Sequence, residues 1–152
     1  MRATLRACSP RALRLDLVVP LTIERVTTWL AAYVRAWDTY DPDTIGDLFT
    51  EDATYHYHPF EEPVRGRLAI VASWLESKDP PGTYEGRYEP IAIDGDLAVA
   101  HGRSRYFKDA SKAEQVREYD NLFLIRFDEQ GRCQSIHEWY MGRRGQREPV
   151  PG

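Results

Sequence analysis

Polar and aromatic residues recur at two-residue spacing in the second half of the chain. That spacing places them on shared faces of strands. Val99, His101, Arg103 and Arg105 form one set. A buried imidazole titrates near neutral pH and suits acid–base work. Arg103 keeps its charge and suits a carboxylate or phenolate, or pairs with Glu89 or Asp120. Tyr119, Asn121, Phe123 and Ile125 form a second set, in which Asn121 can orient a carbonyl or a water. Ile136, Glu138 and Tyr140 form a third. A desolvated Glu138 is a general base, or a partner for Arg103. Tyr55-His56-Tyr57-His58 invites a metal reading, because H-x-H on a strand puts both imidazoles on one face. No third ligand is fixed, since His101 or His137 would have to converge, and alternation turns Tyr55 and Tyr57 inward. No metal is expected.

The elements that must position these groups are legible in outline. Ile23, Val26, Leu30, Val34 and Trp37 recur at helical spacing, with Trp29 and Tyr33 beside the stripe and Thr22 as N-cap. Asp41-Pro42-Asp43 breaks the chain, and a short helix follows with Ile45, Leu48 and Phe49 inward, capped by Asp43 or Thr44. Ala53–His58 reads as a strand, residues 59–63 as a loop with Glu61 and Glu62 as plain surface charge, and Gly66 precedes a third helix. Thr83–Ile93 and Leu97–Phe107 flank the turn Asp94-Gly95-Asp96; Gln115–Phe127 and Cys133–Met141 flank a second turn. The order is α+β: three N-terminal helices packed on one face of a strongly curved, mixed or antiparallel sheet. We expect a loose extension over 1–20, one domain over 21–142 and a mobile tail over 143–152.

Composition narrows the functional classes. The chain has 152 residues, 42% hydrophobic and 12% aromatic, with 20 basic against 24 acidic residues. A net charge of −4 argues against a broad nucleic-acid footprint. There is no apolar run long enough for a membrane-spanning helix, so no membrane partner is expected. Cys8 and Cys133 make neither a disulfide framework nor a zinc motif, and a reducing cytoplasm is the simplest setting.

Three stretches resemble the nuclear transport factor 2-like superfamily, in its SnoaL-like and ketosteroid isomerase-like branches. They are Tyr33-Val-Arg-Ala-Trp-Asp with Asp41 to Thr54, Pro63 to Ile70, and Arg126 to Ile136 with Glu138-Trp-Tyr140. The resemblance covers residues 22 to 141. It implies a cone whose helices close a pocket against the sheet, and a homodimer through the outer sheet face. It also implies that Tyr33 donates a hydrogen bond to a substrate oxyanion, and that the face carrying His101 points inward. The isomerase's two carboxylates are not matched: their positions fall at Tyr57, with His58 adjacent, and at Phe123. Scytalone dehydratase-like enzymes, which use Tyr, Asp and His, are similar more weakly, through Tyr40-Asp41 and Tyr57, with Tyr88 where a histidine is expected.

The resulting expectation is a small-molecule-binding protein with no cofactor. It would isomerise, cyclise or dehydrate a hydrophobic cyclic ketone-like metabolite by acid–base chemistry. His101, Tyr33 and Tyr57 are the candidate catalytic residues. Asn121, Arg103, Tyr55, Tyr119, Phe123, Glu138, Tyr140, Trp37, Trp74 and His58 are the candidate binding residues. The alternative is a non-catalytic ligand-binding or dimerisation module of the same fold.

Overall fold

A computed structural model describes residues 19–146. The expected extension lies outside the described residues except at Val19 and Pro20, whose carbonyls accept from Arg25 at 3.1 and 3.2 Å. The tail beyond Gln146 also lies outside them. Arg143 donates its backbone N–H to the Glu118 carbonyl at 3.3 Å.

Helix α1 spans Ile23–Thr39 and opens on Thr22, whose hydroxyl accepts the Arg25 N–H. Its buried face is Val26, Trp29, Leu30, Tyr33 and Ala36. The stripe is therefore rotated from the expected one: Ile23 is exposed, while the larger surfaces of Trp29 and Tyr33 are buried. Helix α2, Pro42–Asp47, is capped by Asp41 rather than by Asp43 or Thr44. Pro42 sits at the first helical position, where its missing N–H costs nothing, so the residue before it takes the cap. Strand β1, Phe49–His56, starts four residues earlier than expected. Strand β2, Val64–Arg65, has only two residues and falls beside the expected loop. Helix α3, Arg67–Glu76, follows Gly66, whose φ of 89° is a left-handed value that favours glycine.

Strands β3 (Tyr84–Asp94), β4 (Leu97–Phe107), β5 (Gln115–Phe127) and β6 (Cys133–Gly142) form a meander. The sheet order is β2-β1-β6-β5-β4-β3, with β1 parallel to β6 and all other pairs antiparallel. The result is a curled mixed sheet with helices on its inner face. That face is read along β5 as Tyr119, Asn121, Phe123, Ile125 and Phe127, all buried, while Asp120, Leu122 and Arg126 face out. On β4 the inner residues are Ala98, Ala100, Gly102, Ser104 and Tyr106, and His101, Arg103 and Arg105 lie on the opposite face. The expected inward placement of His101 and Arg103 is thereby corrected. Small side chains face the crowded interior, and long charged ones face water, which hydrates them at no burial cost.

The small inner residues of β4 make room for the site. Tyr88 pairs with Gly102 across β3 and β4. A Cβ on Gly102 would meet the Arg87 carbonyl and come within 2.5 Å of the Tyr88 ring. A Cβ on Gly86 would lie 2.7 Å from the Trp37 ring. Two glycines therefore let two aromatic rings lie flat against the sheet.

Candidate functional site

A cavity of about 460 Å³ lies between the helices and the inner sheet face. Its floor is Tyr33 from α1, Tyr55 from β1 and Glu138 from β6. Trp74, Tyr88 and Tyr106 supply walls, and Trp37, Tyr40, Glu76 and Asp79 stand at the accessible end. Such an apolar enclosure with a few convergent polar groups suits a small ligand.

The floor is one hydrogen-bonded chain. The Tyr33 and Tyr55 hydroxyls are 2.7 Å apart. Tyr55 Oη donates to Glu138 Oε2 at 3.1 Å, and Asn121 Nδ2 donates to Glu138 Oε1 at 3.3 Å. Ser104 Oγ donates to Asn121 Oδ1 at 3.0 Å, which fixes the amide with its nitrogen toward the carboxylate. The Tyr33 ring is clamped by Trp29, Trp74 and Phe123, with centroids 5.5, 5.1 and 5.8 Å away. Tyr57 stacks on Tyr55 at 4.0 Å. Its hydroxyl lies 2.7 Å from Ser73 Oγ, which donates in turn to the Ile70 carbonyl, so the Tyr57 proton is committed to Ser73.

Burial sets the electrostatics. It raises the Glu138 carboxyl to about 7, against the opposing hydrogen bonds from Tyr55 and Asn121. Burial first, and the Glu138 charge second, raise Tyr33 and Tyr55 well above the ordinary phenol value. Burial pushes Tyr57 up to about 12. The phenols therefore stay neutral donors, while the carboxyl changes protonation near neutrality. Among the described residues no cation pairs with that carboxyl: Arg103, a candidate partner in the sequence, bonds Asp120 on the outer face at 3.3 Å.

The expected residues divide clearly. Tyr33, Tyr55, Tyr57, Trp37, Trp74 and Glu138 line the cavity. Asn121 and Phe123 are buried behind the lining, the first holding Glu138 and the second packed under Tyr33 and Tyr88. Tyr119, Tyr140 and His58 are not lining residues; they form an edge-to-face series further along the sheet, at 5.4 and 6.2 Å. His101 is outside, its Nε2 2.7 Å from Asp120 Oδ1, with both side chains half exposed. His56 stacks on His137 at 3.8 Å on that outer face, and no group of three or more potential metal ligands occurs among the described residues.

Ser104, Tyr106, Asp79 and Ser73 were missed as site residues. Ser104 and Tyr106 had a signal: plain polarity alternation along β4 turns them inward. The position where the isomerase-like pattern puts an acid is Phe123, and Phe123 pairs directly with Glu138 on the neighbouring strand. Glu138 thus places a carboxyl on the same inner face, one strand away.

Fold and cavity together define a small-molecule-binding cone of the nuclear transport factor 2-like type. Residues 30–136 match the SnoaL-like domain, and the chain belongs to that family. The fold is also that of a crystal structure from Kribbella flavida DSM 17836, a protein provisionally named a ketosteroid isomerase. The two share 16% identity and a TM-score of 0.60, over 86% of this chain and 85% of that one. No curated protein matches the chain in sequence. Among the described residues no helix is long and apolar enough to cross a membrane.

Proposed function

We propose that the cavity binds a hydrophobic cyclic ketone-like metabolite and that the protein moves a proton on it without a cofactor. The observation that carries this reading is the Tyr33–Tyr55–Glu138 chain at the cavity floor. Ionised Glu138 would take a proton from the carbon beside the carbonyl: the C–H bond breaks, an O–H bond forms on Glu138, and the electron pair moves to the ketone oxygen as an enolate. A proton on Glu138 Oε2 reverses the chain, so Glu138 donates to Tyr55, Tyr55 to Tyr33, and Tyr33 to the enolate oxygen. The developing charge is met by the Tyr33 hydroxyl, which the arriving proton turns toward it. Return of the proton to a different carbon is isomerisation; loss of a hydroxyl from the adjacent carbon, with the proton leaving as water, is dehydration. Asn121 and Ser104 hold the carboxylate, and Tyr57 braces Tyr55.

The test is exchange. Cyclic ketones are incubated with the protein in D₂O and followed by NMR. Deuterium uptake beside the carbonyl that disappears in Glu138→Gln supports catalysis. Binding without uptake supports the second reading, a non-catalytic ligand-binding module. Phe123 favours that reading, since it leaves the floor with a single carboxyl.

The outer sheet face supports a homodimer: Leu122 pairs with Trp139, Met141 lies beside them, and all three are exposed. A cytoplasmic setting suits Cys133, a free buried thiol.

A further inference from the structure

The charged side chains that line the cavity are all of one sign. They are Glu138 at the floor and Glu76 and Asp79 at the accessible end; among the described residues no Lys, Arg or His lines it. Asp79 is held in place: its Oδ2 accepts from Trp37 Nε1 at 3.0 Å and from Tyr40 Oη at 3.2 Å, and its backbone N–H donates to Tyr40 Oη at 2.9 Å. A fixed carboxylate therefore sits beside an indole and a phenol, with the Tyr106 ring 6.1 Å from Trp37. Aromatic faces and a carboxylate attract an ammonium group together, the rings through their quadrupoles and the acid through its charge. The protein's own cations respond to these rings. Lys78 Nζ lies 5.7 Å from the Tyr40 centroid and the Arg117 guanidinium 4.5 Å from the Tyr106 centroid, and neither residue lines the cavity.

We propose that the ligand is an organic ammonium: its ring system fills the aromatic cavity, and a protonated or quaternary nitrogen rests at the accessible end beside Asp79, Glu76, Trp37 and Tyr40. This rests on the reading of the cavity as the ligand site and adds the charge of the ligand's far end. A carboxylate there would meet two like charges, with Lys78 and Arg117 outside the lining. A neutral group would leave the ring faces and the fixed carboxylate unused.

The test uses one framework with three ends. An acetylnaphthalene carries a methyl, a trimethylammonium or a carboxylate group on its far ring, and binding is measured by calorimetry. The expected order is ammonium, then methyl, then carboxylate, with the ammonium about tenfold tighter than the methyl compound. In the Glu76→Gln/Asp79→Asn double variant that preference falls to within about twofold, while the methyl compound still binds, which shows the cavity present. Glu76→Gln alone, at an exposed side chain, repeats the test in part should the double variant not fold. Methyl binding equal to or tighter than ammonium binding overturns the ammonium proposal and leaves the cavity reading standing. Failure of all three compounds to bind overturns both.

Discussion

Tyr55 donates its phenolic proton to Glu138 across 3.1 Å, and this bond sets the direction of the whole cavity floor. With that proton spent, the 2.7 Å contact between the phenols requires Tyr33 to donate to Tyr55. A proton on Glu138 Oε2 turns both phenols round and points the Tyr33 O–H at the cavity. One proton thus decides whether the floor offers a ligand a donor or an acceptor.

Glu138 makes stability depend on pH. Its carboxyl is raised from 4.5 to about 7 by burial, opposed by Tyr55 and Asn121. The native state therefore binds more protons than the unfolded chain between these values. The stabilising contribution is complete below about 4.5 and is lost as pH rises through about 7. The shift corresponds to on the order of 3 kcal/mol. Urea unfolding at pH 5 and pH 8 should show this loss in the wild type and a smaller one in Glu138→Gln. An equal pH dependence in both proteins would assign it elsewhere.

The two phenols should separate by role. Tyr33→Phe removes the group facing the ligand oxygen and should weaken binding of a naphthol, an enolate mimic, about tenfold or more while costing little stability. Tyr55→Phe leaves Glu138 without its hydroxyl donor and should cost about 1–3 kcal/mol as well as binding. Denaturation curves beside binding isotherms distinguish the two; identical stability losses would count against this division.

His101→Ala should leave ligand binding within about twofold and stability within about 0.5 kcal/mol. Its partner Asp120 is half exposed and also bound by Arg103. The Asp120 carboxyl, held below its ordinary value chiefly by the His101 hydrogen bond, should move up in the variant, a change that NMR titration detects.

Gly102→Ala should destabilise by about 1–3 kcal/mol, because the added methyl meets the Arg87 carbonyl and the Tyr88 ring. Ligand binding should fall with it as Tyr88 is displaced from the wall. An unchanged melting temperature would contradict the close seating of that ring.

Trp139→Asp should give a monomer by light scattering if the outer face joins two copies, because a charge replaces the centre of its apolar patch. A dimer that persists would place the interface elsewhere.

Much of this arrangement was legible in the sequence because local chemistry agreed with the tertiary fold. Thr22, Gly66 and the two hairpin turns marked boundaries that hold to within a residue or so. The inner faces of β5 and β6 followed from alternation, and Glu138 was already a candidate base on one of them. Strand β2 is two residues long and carries no periodic signal. The face of β4 was misread because the family likeness outweighed polarity: Ala98, Ala100, Gly102 and Ser104 alternate with Val99, His101, Arg103 and Arg105, and only the small set fits under Tyr88 and Phe123. The link between Asn121 and Glu138 depends on diagonal contact across two strands, which no linear spacing reveals.

Calorimetric titration of a naphthol into wild type, Tyr33→Phe, Glu138→Gln and His101→Ala tests the central claim most directly. One site per chain is expected, weakened about tenfold or more in Tyr33→Phe, retained in Glu138→Gln, whose amide N–H still turns the phenols toward the ligand, and unchanged in His101→Ala. Binding that survives Tyr33→Phe and falls with His101→Ala would contradict this.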